Sequence, residues 1–113
     1  MIVDCHTHVR ASDKAEAAEH LAATETVDAC IVLGTLGESR DRVNQGLADY
    51  VAQHSDRMVG FAVIDPTQDP IGGKDLAVLT EKLGLRGVVL YCATSGFHPT
   101  DSRAMRFYAT VQE

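Results

Sequence analysis

Short apolar runs alternate with longer amphipathic stretches along this chain. The apolar runs predict strands at residues 2–6, 29–33, 58–64 and 87–91. Runs of this kind, rich in β-branched residues, are typical of strands buried on both faces of a sheet. Each run is closed by a turn-forming or polar residue, as Gly34 closes the second and Asp65-Pro66 the third. The pattern therefore predicts four buried strands.

Helical periodicity fills the intervals between these strands. Helices are predicted from Asp13 to about Thr24, from Asp41 to His54, after Gly73, and from Asp101 or Ser102 to Val111. The apolar stripes expected to face the core are Ala15, Ala18, Leu21 and Ala22 in the first helix, Val43, Leu47, Tyr50 and Val51 in the second, Leu76, Leu79 and Leu83 in the third, and Ala104, Phe107, Tyr108 and Val111 in the fourth. Gly84 occupies the position of a C-cap glycine, and Pro66 and Pro70 predict a loop.

Regular alternation of strand and helix, without hairpin signals, builds a parallel sheet through right-handed crossovers. Two architectures remain open on this evidence, a small doubly wound sheet and about half of a (β/α)8 TIM barrel. A complete barrel needs about 250 residues, and this chain has 113, the last of them within a helical pattern. We therefore expect one unit over residues 1–113, the N-terminal (βα)4 portion of a truncated barrel.

Composition narrows the range of partners. The formal charge is −6 and the pI about 5.2, which disfavours nucleic acid and anionic membranes because phosphate binding needs clustered Lys and Arg. No apolar run is long enough to span a bilayer. The three cysteines are widely spaced and form no CxxC motif, a pattern typical of a reducing cytoplasm. Cys5 and Cys30 are expected to pack as small hydrophobic residues.

The residues most suggestive of chemistry are His6 and His8 at the end of the first strand. Alternate side chains of a strand share one face, so both imidazoles, and Asp4 before them, should point the same way. Two imidazoles on one face can bind one divalent metal ion. In parallel α/β folds, sites lie at the carboxyl ends of strands. Asp4 is then expected to orient a ligand from behind.

Other residues are weaker candidates. His98 lies in the loop that follows the fourth strand, on the side where a substrate would bind, and Tyr91 ends that strand. Both are predicted substrate contacts, although packing is the default for Tyr91. Asp65, before Pro66, is expected to form a turn. His20 and His54 fall within predicted helices and are expected at the surface.

The segment Ile2-Val3-Asp4-Cys5-His6-Thr7-His8-Val9 resembles the opening strand of the amidohydrolase superfamily. Later segments resemble the branch that includes aminocarboxymuconate-semialdehyde decarboxylase and TIM-barrel metal-dependent hydrolases. They are Asn44, Asp56 to Ala62, Ile64-Asp65-Pro66 and Leu83 to Val88. The resemblance extends over nearly the whole chain, and the ordered series is more specific than the first motif alone.

This resemblance implies that His6 and His8 bind a divalent metal, zinc as the first expectation and manganese as the alternative. It also implies hydrolysis, or non-oxidative decarboxylation, of a small organic acid, ester, lactone or amide. The remaining ligands and the general base would lie beyond Glu113, so the chain alone should be inactive. The fourth strand offers neither lysine nor glutamate to bridge two metals, which favours a mononuclear site.

Two alternatives stay open. A TatD-type deoxyribonuclease or another barrel phosphoesterase also opens with His-x-His, although the later segments favour the amidohydrolase branch. The chain could also be an inactive half barrel that associates with itself, since four βα units leave two sheet edges unpaired. Two copies around a twofold axis would close the ring, which predicts a homodimer.

Overall fold

A computed structural model describes residues 1–69 and 71–113. Pro70, part of the predicted loop, lies outside the described residues. Strands and helices alternate along the chain, as the sequence predicts. The strands are β1 (Val3–His8), β2 (Ala29–Leu33), β3 (Met58–Val63) and β4 (Gly87–Val89), and the helices are α1 (Lys14–Ala23), α2 (Arg40–Ala52), α3 (Gly73–Ala77) and α4 (Ser102–Gln112).

The strands form one parallel sheet in the order β1-β2-β3-β4. Each strand therefore pairs with the strand that precedes it in sequence, as in a TIM barrel. A doubly wound sheet instead reverses its strand order at a switch point. The topology is thus that of four consecutive βα units of a barrel.

Helices cover one face of this sheet. The core cluster joins Cys30 and Val32 of β2 and Met58 of β3 to α2. In α2 the buried residues are Asn44, Leu47, Ala48, Tyr50 and Val51, so the predicted stripe is confirmed for Leu47, Tyr50 and Val51. Gly60 lets the layers approach closely, since a Cβ there would lie 2.7 Å from Leu85 Cδ2.

The opposite face of the sheet is apolar and partly open. Val3 and Val59 point to this face and are 49% and 39% exposed. Ile31, paired with Val59, and Phe61, paired with Leu33, are half-buried. In a closed barrel this face lies inside and is filled by side chains from all eight strands. We therefore call it the concave face, because it corresponds to the interior side of a barrel.

The buried face of α1 differs from the predicted stripe. Ala15, Ala18 and Ala22 are exposed. The residues that pack inward are Ala17, His20, Leu21 and Thr24, the last just beyond the helix. The number of apolar residues did not identify the buried face, because its two polar residues, His20 and Thr24, find hydrogen-bond partners there. Thr24 donates to Leu21 O at 2.9 Å, and the contacts of His20 are described below.

The third helix is regular only at its start. After α3 the chain widens into a π-helical turn over Val78–Lys82, with Leu83 N bonding to Val78 O at 3.0 Å. Leu79 and Leu83 both pack on the core. Gly84 follows with φ +71°, a left-handed conformation that glycine adopts without strain. The prediction of a C-cap glycine is confirmed. No helix among the described residues is long and apolar enough to cross a membrane.

Candidate metal centre

The first strand contains one residue more than its neighbour. Asp4 is opposite Cys30 and Thr7 is opposite Val32, so three steps along β1 match two steps along β2. This is a β-bulge. The backbone N–H of His6, within the bulge, donates to Asp4 Oδ1 at 3.0 Å. The Asp4 carboxylate therefore satisfies a backbone group inside the bulge.

The bulge changes which residues share a face. Asp4 and Thr7 stand opposite Cys30 and Val32, which belong to the helix-covered core, whereas His8 stands opposite Leu33. The expectation that Asp4 points the same way as His8 is therefore wrong, because the extra residue shifts the alternation. His6 and His8 do point together, towards the concave face. Asp4 contacts the backbone of His6 rather than an imidazole, and its supporting role remains a prediction.

The two histidine rings converge. Their Nε2 atoms are 3.0 Å apart and their ring centroids 4.9 Å apart. Two nitrogens that each lie about 2.1 Å from one ion are separated by about 3.0 to 3.4 Å for bond angles between a right angle and the tetrahedral angle. Both side chains are exposed at the carboxyl end of β1. The pair therefore fits two adjacent positions in the coordination of one divalent ion.

Tyr91 determines which nitrogen of His8 is free. The Tyr91 hydroxyl donates to the carbonyl oxygen of Gly34 at 2.6 Å, and the same oxygen lies 3.1 Å from Nδ1 of His8. Because the hydroxyl proton is already engaged, the oxygen accepts the Nδ1–H of His8. This leaves the lone pair on Nε2, the atom that faces His6. A hydrogen bond to the second ring nitrogen is the usual way in which a ligand imidazole is oriented.

The electrostatic environment also favours neutral groups at this position. Burial, and then the neighbouring His6, lower the pKa of His8 below 6.5. Burial raises the pKa of Tyr91 above 10.0, so its hydroxyl keeps its proton at neutral pH. A metal ligand must be a neutral imidazole. The predicted substrate contact of Tyr91 stays a prediction, since the structure shows it against His8 and Gly34.

The described residues place no third candidate ligand beside His6 and His8. Within residues 1–69 and 71–113, no group of three His, Cys, Asp or Glu side chains is arranged to hold a metal. A catalytic zinc site has three protein ligands and an open position, of which His6 and His8 would supply two. His98 is exposed in the loop after β4, where its Nδ1 lies 2.8 Å from Thr100 Oγ1. Its substrate contact also stays a prediction.

Sequence reasoning misplaced two residues near this centre. His20, expected at the surface, is only 8% exposed. Its Nε2 lies 2.9 Å from Thr7 Oγ1 and its Nδ1 2.7 Å from the Tyr50 hydroxyl. Cys5, expected to pack, is exposed because it lies on β1 where the concave face is open, whereas Cys30 is buried as predicted. Ala17, His20, Leu21 and Thr24 recur at intervals of three and four residues, which is the spacing of one helix face. This spacing was the sequence signal that could have indicated a buried His20.

Comparison with known proteins finds similar solved structures but no match by sequence family. No protein-family model and no curated protein matches the sequence. Among solved structures, a 5-carboxyvanillate decarboxylase from Novosphingobium aromaticivorans, with bound manganese, aligns over 99% of this chain with a TM-score of 0.77 and 13% identity. A protein assigned as an amidohydrolase from Staphylococcus aureus aligns over 98% with a TM-score of 0.73 and 17% identity. A protein assigned as a 2-pyrone-4,6-dicarboxylic acid hydrolase from Acinetobacter baumannii aligns over 98% with a TM-score of 0.69 and 18% identity.

These likenesses establish the fold. The chain has the architecture of four consecutive parallel βα units of a TIM barrel. It spans 48%, 44% and 45% of the length of these three proteins. The prediction of a half barrel is confirmed, and the three structures compared are a decarboxylase, a protein assigned as an amidohydrolase and a protein assigned as a hydrolase.

Proposed function

We propose that this chain is the part of a metal-dependent amidohydrolase-type enzyme that supplies the first two metal ligands. The observation that carries the proposal is the 3.0 Å separation of the Nε2 atoms of His6 and His8 at the carboxyl end of β1. That end of the strands is where TIM-barrel enzymes place their active sites. The fold shared with hydrolases and a decarboxylase supports the same reaction classes.

Each residue of the site has a distinct task in this proposal. His6 and His8 hold one divalent ion, zinc or manganese, through Nε2. Tyr91 keeps His8 in the tautomer that leaves this nitrogen free, and Asp4 supports the backbone of His6. When bound, such an ion polarises a carbonyl and lowers the pKa of a water to about 7. The general base and further ligands come from outside residues 1–113.

The proposed substrate is a small organic acid or one of its ester, lactone or amide derivatives. The decarboxylase above was solved with a substituted nitrobenzoic acid and the dicarboxylic acid hydrolase with citric acid, so both proteins hold carboxylates. His98, in the loop after β4, is proposed to contact the substrate at the rim. Hydrolysis of the bond, or loss of carbon dioxide, then depends on groups outside this chain.

The missing half of the barrel must come from additional protein. β1 and β4 are the edges of the sheet, and the concave face leaves Val3 and Val59 exposed. As an isolated molecule, the chain is proposed to form a homodimer in which β1 of each copy lies beside β4 of the other. A twofold axis along the barrel keeps all strands parallel. Light scattering tests this proposal, and a clean monomer at high concentration would contradict it.

Metal analysis of the purified chain tests the proposed function. The natural chain is dialysed against zinc or manganese and its metal content measured beside His6→Ala, His8→Ala and, as a matched control, His54→Ala, in the turn that follows α2. With two of the ligands present, we expect weak metal binding at saturating metal in the natural chain and in the control, and its loss in both site variants. Equal metal content in all four proteins would refute the proposal.

A further inference from the structure

A buried chain of hydrogen bonds lies behind the metal centre. Thr7 is the residue between the two proposed ligands, and it faces away from them. Its Oγ1 lies 2.9 Å from Nε2 of His20 on α1, whose Nδ1 lies 2.7 Å from the hydroxyl of Tyr50 on α2. Three elements, β1, α1 and α2, are therefore joined behind the ligands.

The environment of this network makes it rigid. His20 and Tyr50 are each 8% exposed, and their rings meet edge to face with centroids 5.6 Å apart. Each partner has a complementary donor or acceptor, and breaking one bond would leave a buried polar group unsatisfied, which is unfavourable. An apolar residue at position 20 could fill the same space but could not hold the Thr7 hydroxyl.

The network acts on a strand that contains a β-bulge. β1 carries one residue more than β2 between Asp4 and Thr7. A slip by one residue turns every later side chain to the opposite face of a sheet. In β1 such a slip would turn Thr7 towards the concave face and His8 into the helix layer. The bond from Thr7 to His20 is therefore compatible only with the register in which His8 faces His6.

We propose that His20, held by Tyr50, is a positioning residue that grips Thr7 and so aims His6 and His8 at the same ion. This inference rests on the proposed function only in naming metal binding as the purpose of the aligned rings. His20 touches neither ligand and takes no part in the chemistry. Its effect is on the direction of the two imidazoles.

Paired substitutions of Thr7 test the inference. Thr7→Val keeps the β-branched shape but removes the hydroxyl, whereas Thr7→Ser keeps the hydroxyl. His20→Phe removes both ring nitrogens, and Met58→Ala, a core substitution that leaves Thr7, His20 and Tyr50 intact, controls for lost stability. Two measurements are made on each full chain well below its unfolding temperature. They are the affinity for Co2+ by its visible spectrum, and the nuclear Overhauser contact between the rings of His6 and His8 in metal-free protein.

We expect Thr7→Val and His20→Phe to lose the ring contact and bind Co2+ about 10- to 100-fold more weakly. Thr7→Ser and Met58→Ala should keep both properties. Unchanged contact and affinity in a folded Thr7→Val would overturn the inference, and so would equal losses in Met58→Ala. If even the natural chain binds no Co2+, the proposed metal site fails. The positioning role then stands if the ring contact is lost in Thr7→Val and His20→Phe but kept in Thr7→Ser and Met58→Ala, and it falls if Thr7→Val or His20→Phe keeps the contact.

Discussion

The hydroxyl of Tyr91 lies 3.1 Å from Nδ1 of His8, although the two residues follow opposite edges of the sheet. His8 ends β1 and Tyr91 lies just beyond β4. In a flat sheet, strands three places apart would be about 14 Å from each other. The contact is therefore possible only because the sheet is curved, which brings the carboxyl ends of its two edge strands together around the concave face.

Removing this hydroxyl should weaken metal binding. In Tyr91→Phe, Nδ1 of His8 loses its partner and the ring is free to adopt either tautomer, so we expect an affinity about 10-fold lower. Titration with Co2+ measures the affinity, and nitrogen chemical shifts of His8 report the tautomer. Tyr108→Phe on α4 is the matched control. If both phenylalanine variants bind alike, Tyr91 does not orient the ligand.

The buried side-chain amide of Asn44 hydrogen-bonds to the backbone at the end of β3. Asn44 on α2 donates to Val63 O at 3.0 Å and accepts from Val63 N at 2.8 Å, which replaces strand pairing where β2 has ended. Asn44→Ala leaves both backbone groups unsatisfied, so we expect the free energy of unfolding to fall by about 3 kcal/mol. Urea denaturation measures it. Gln45→Ala, at the exposed neighbour, should change it by less than about 0.5 kcal/mol, and a similar loss in both variants would contradict this role.

Gly87 makes room for a ring on the concave face. A Cβ at this position would lie 2.7 Å from Cε1 and Cζ of Phe61, on the adjacent strand β3. Gly87→Ala should therefore lower the free energy of unfolding by about 1–3 kcal/mol. In a Phe61→Leu background the same glycine substitution should cost less, because the ring is gone. Additive effects in this double-mutant cycle would show that Phe61 is not the obstacle.

Buried His20 should make stability depend on pH. Desolvation by burial lowers the pKa of His20 below 6.5. Asp4 opposes this shift and Arg57 reinforces it; of the two smaller effects, Glu16 raises the pKa and His54 lowers it. The unfolded chain thus takes up this proton at a higher pH than the folded chain. Stability is fully present above 6.5 and falls as the pH decreases below that value.

The measurement compares unfolding free energies at about pH 7.5 and about pH 5.5. Because the pKa of His8 is also lowered, the comparison is made in His8→Ala, with and without His20→Gln. The decrease towards acid should be smaller in the chain that lacks His20. Parallel decreases in the two chains would show that His20 does not cause the effect.

Sequence periodicity predicted the number, order and approximate bounds of the strands and helices, because buried parallel strands and amphipathic helices have distinct patterns. It also identified His6 and His8 as neighbours on one face. The bulge was not visible, since it depends on the pairing of β1 with β2 rather than on β1 alone. Asp4 was consequently placed on the wrong face.

The buried polar residues were the second feature that sequence reasoning did not predict. A histidine in a helix is normally read as a surface residue, and His20 is buried only because Thr7 and Tyr50 supply its hydrogen bonds from two other elements. Asp65, by contrast, behaves as its local sequence predicts, since its Oδ1 accepts from Thr67 N at 2.9 Å within the turn. Sequence patterns thus predicted contacts between residues close in the chain, such as the Asp65 turn, but not the burial of a side chain whose partners lie on other elements.

The pairing of every strand with its predecessor also affects how the chain assembles. Each βα unit finds its partner in the segment synthesised immediately before it, so contacts close over short sequence distances and the loops to be closed are small. Ile31 and Val59, for example, are brought together by one intervening helix. The four units can accordingly dock one after another as they leave the ribosome, each new strand adding to an edge already in place.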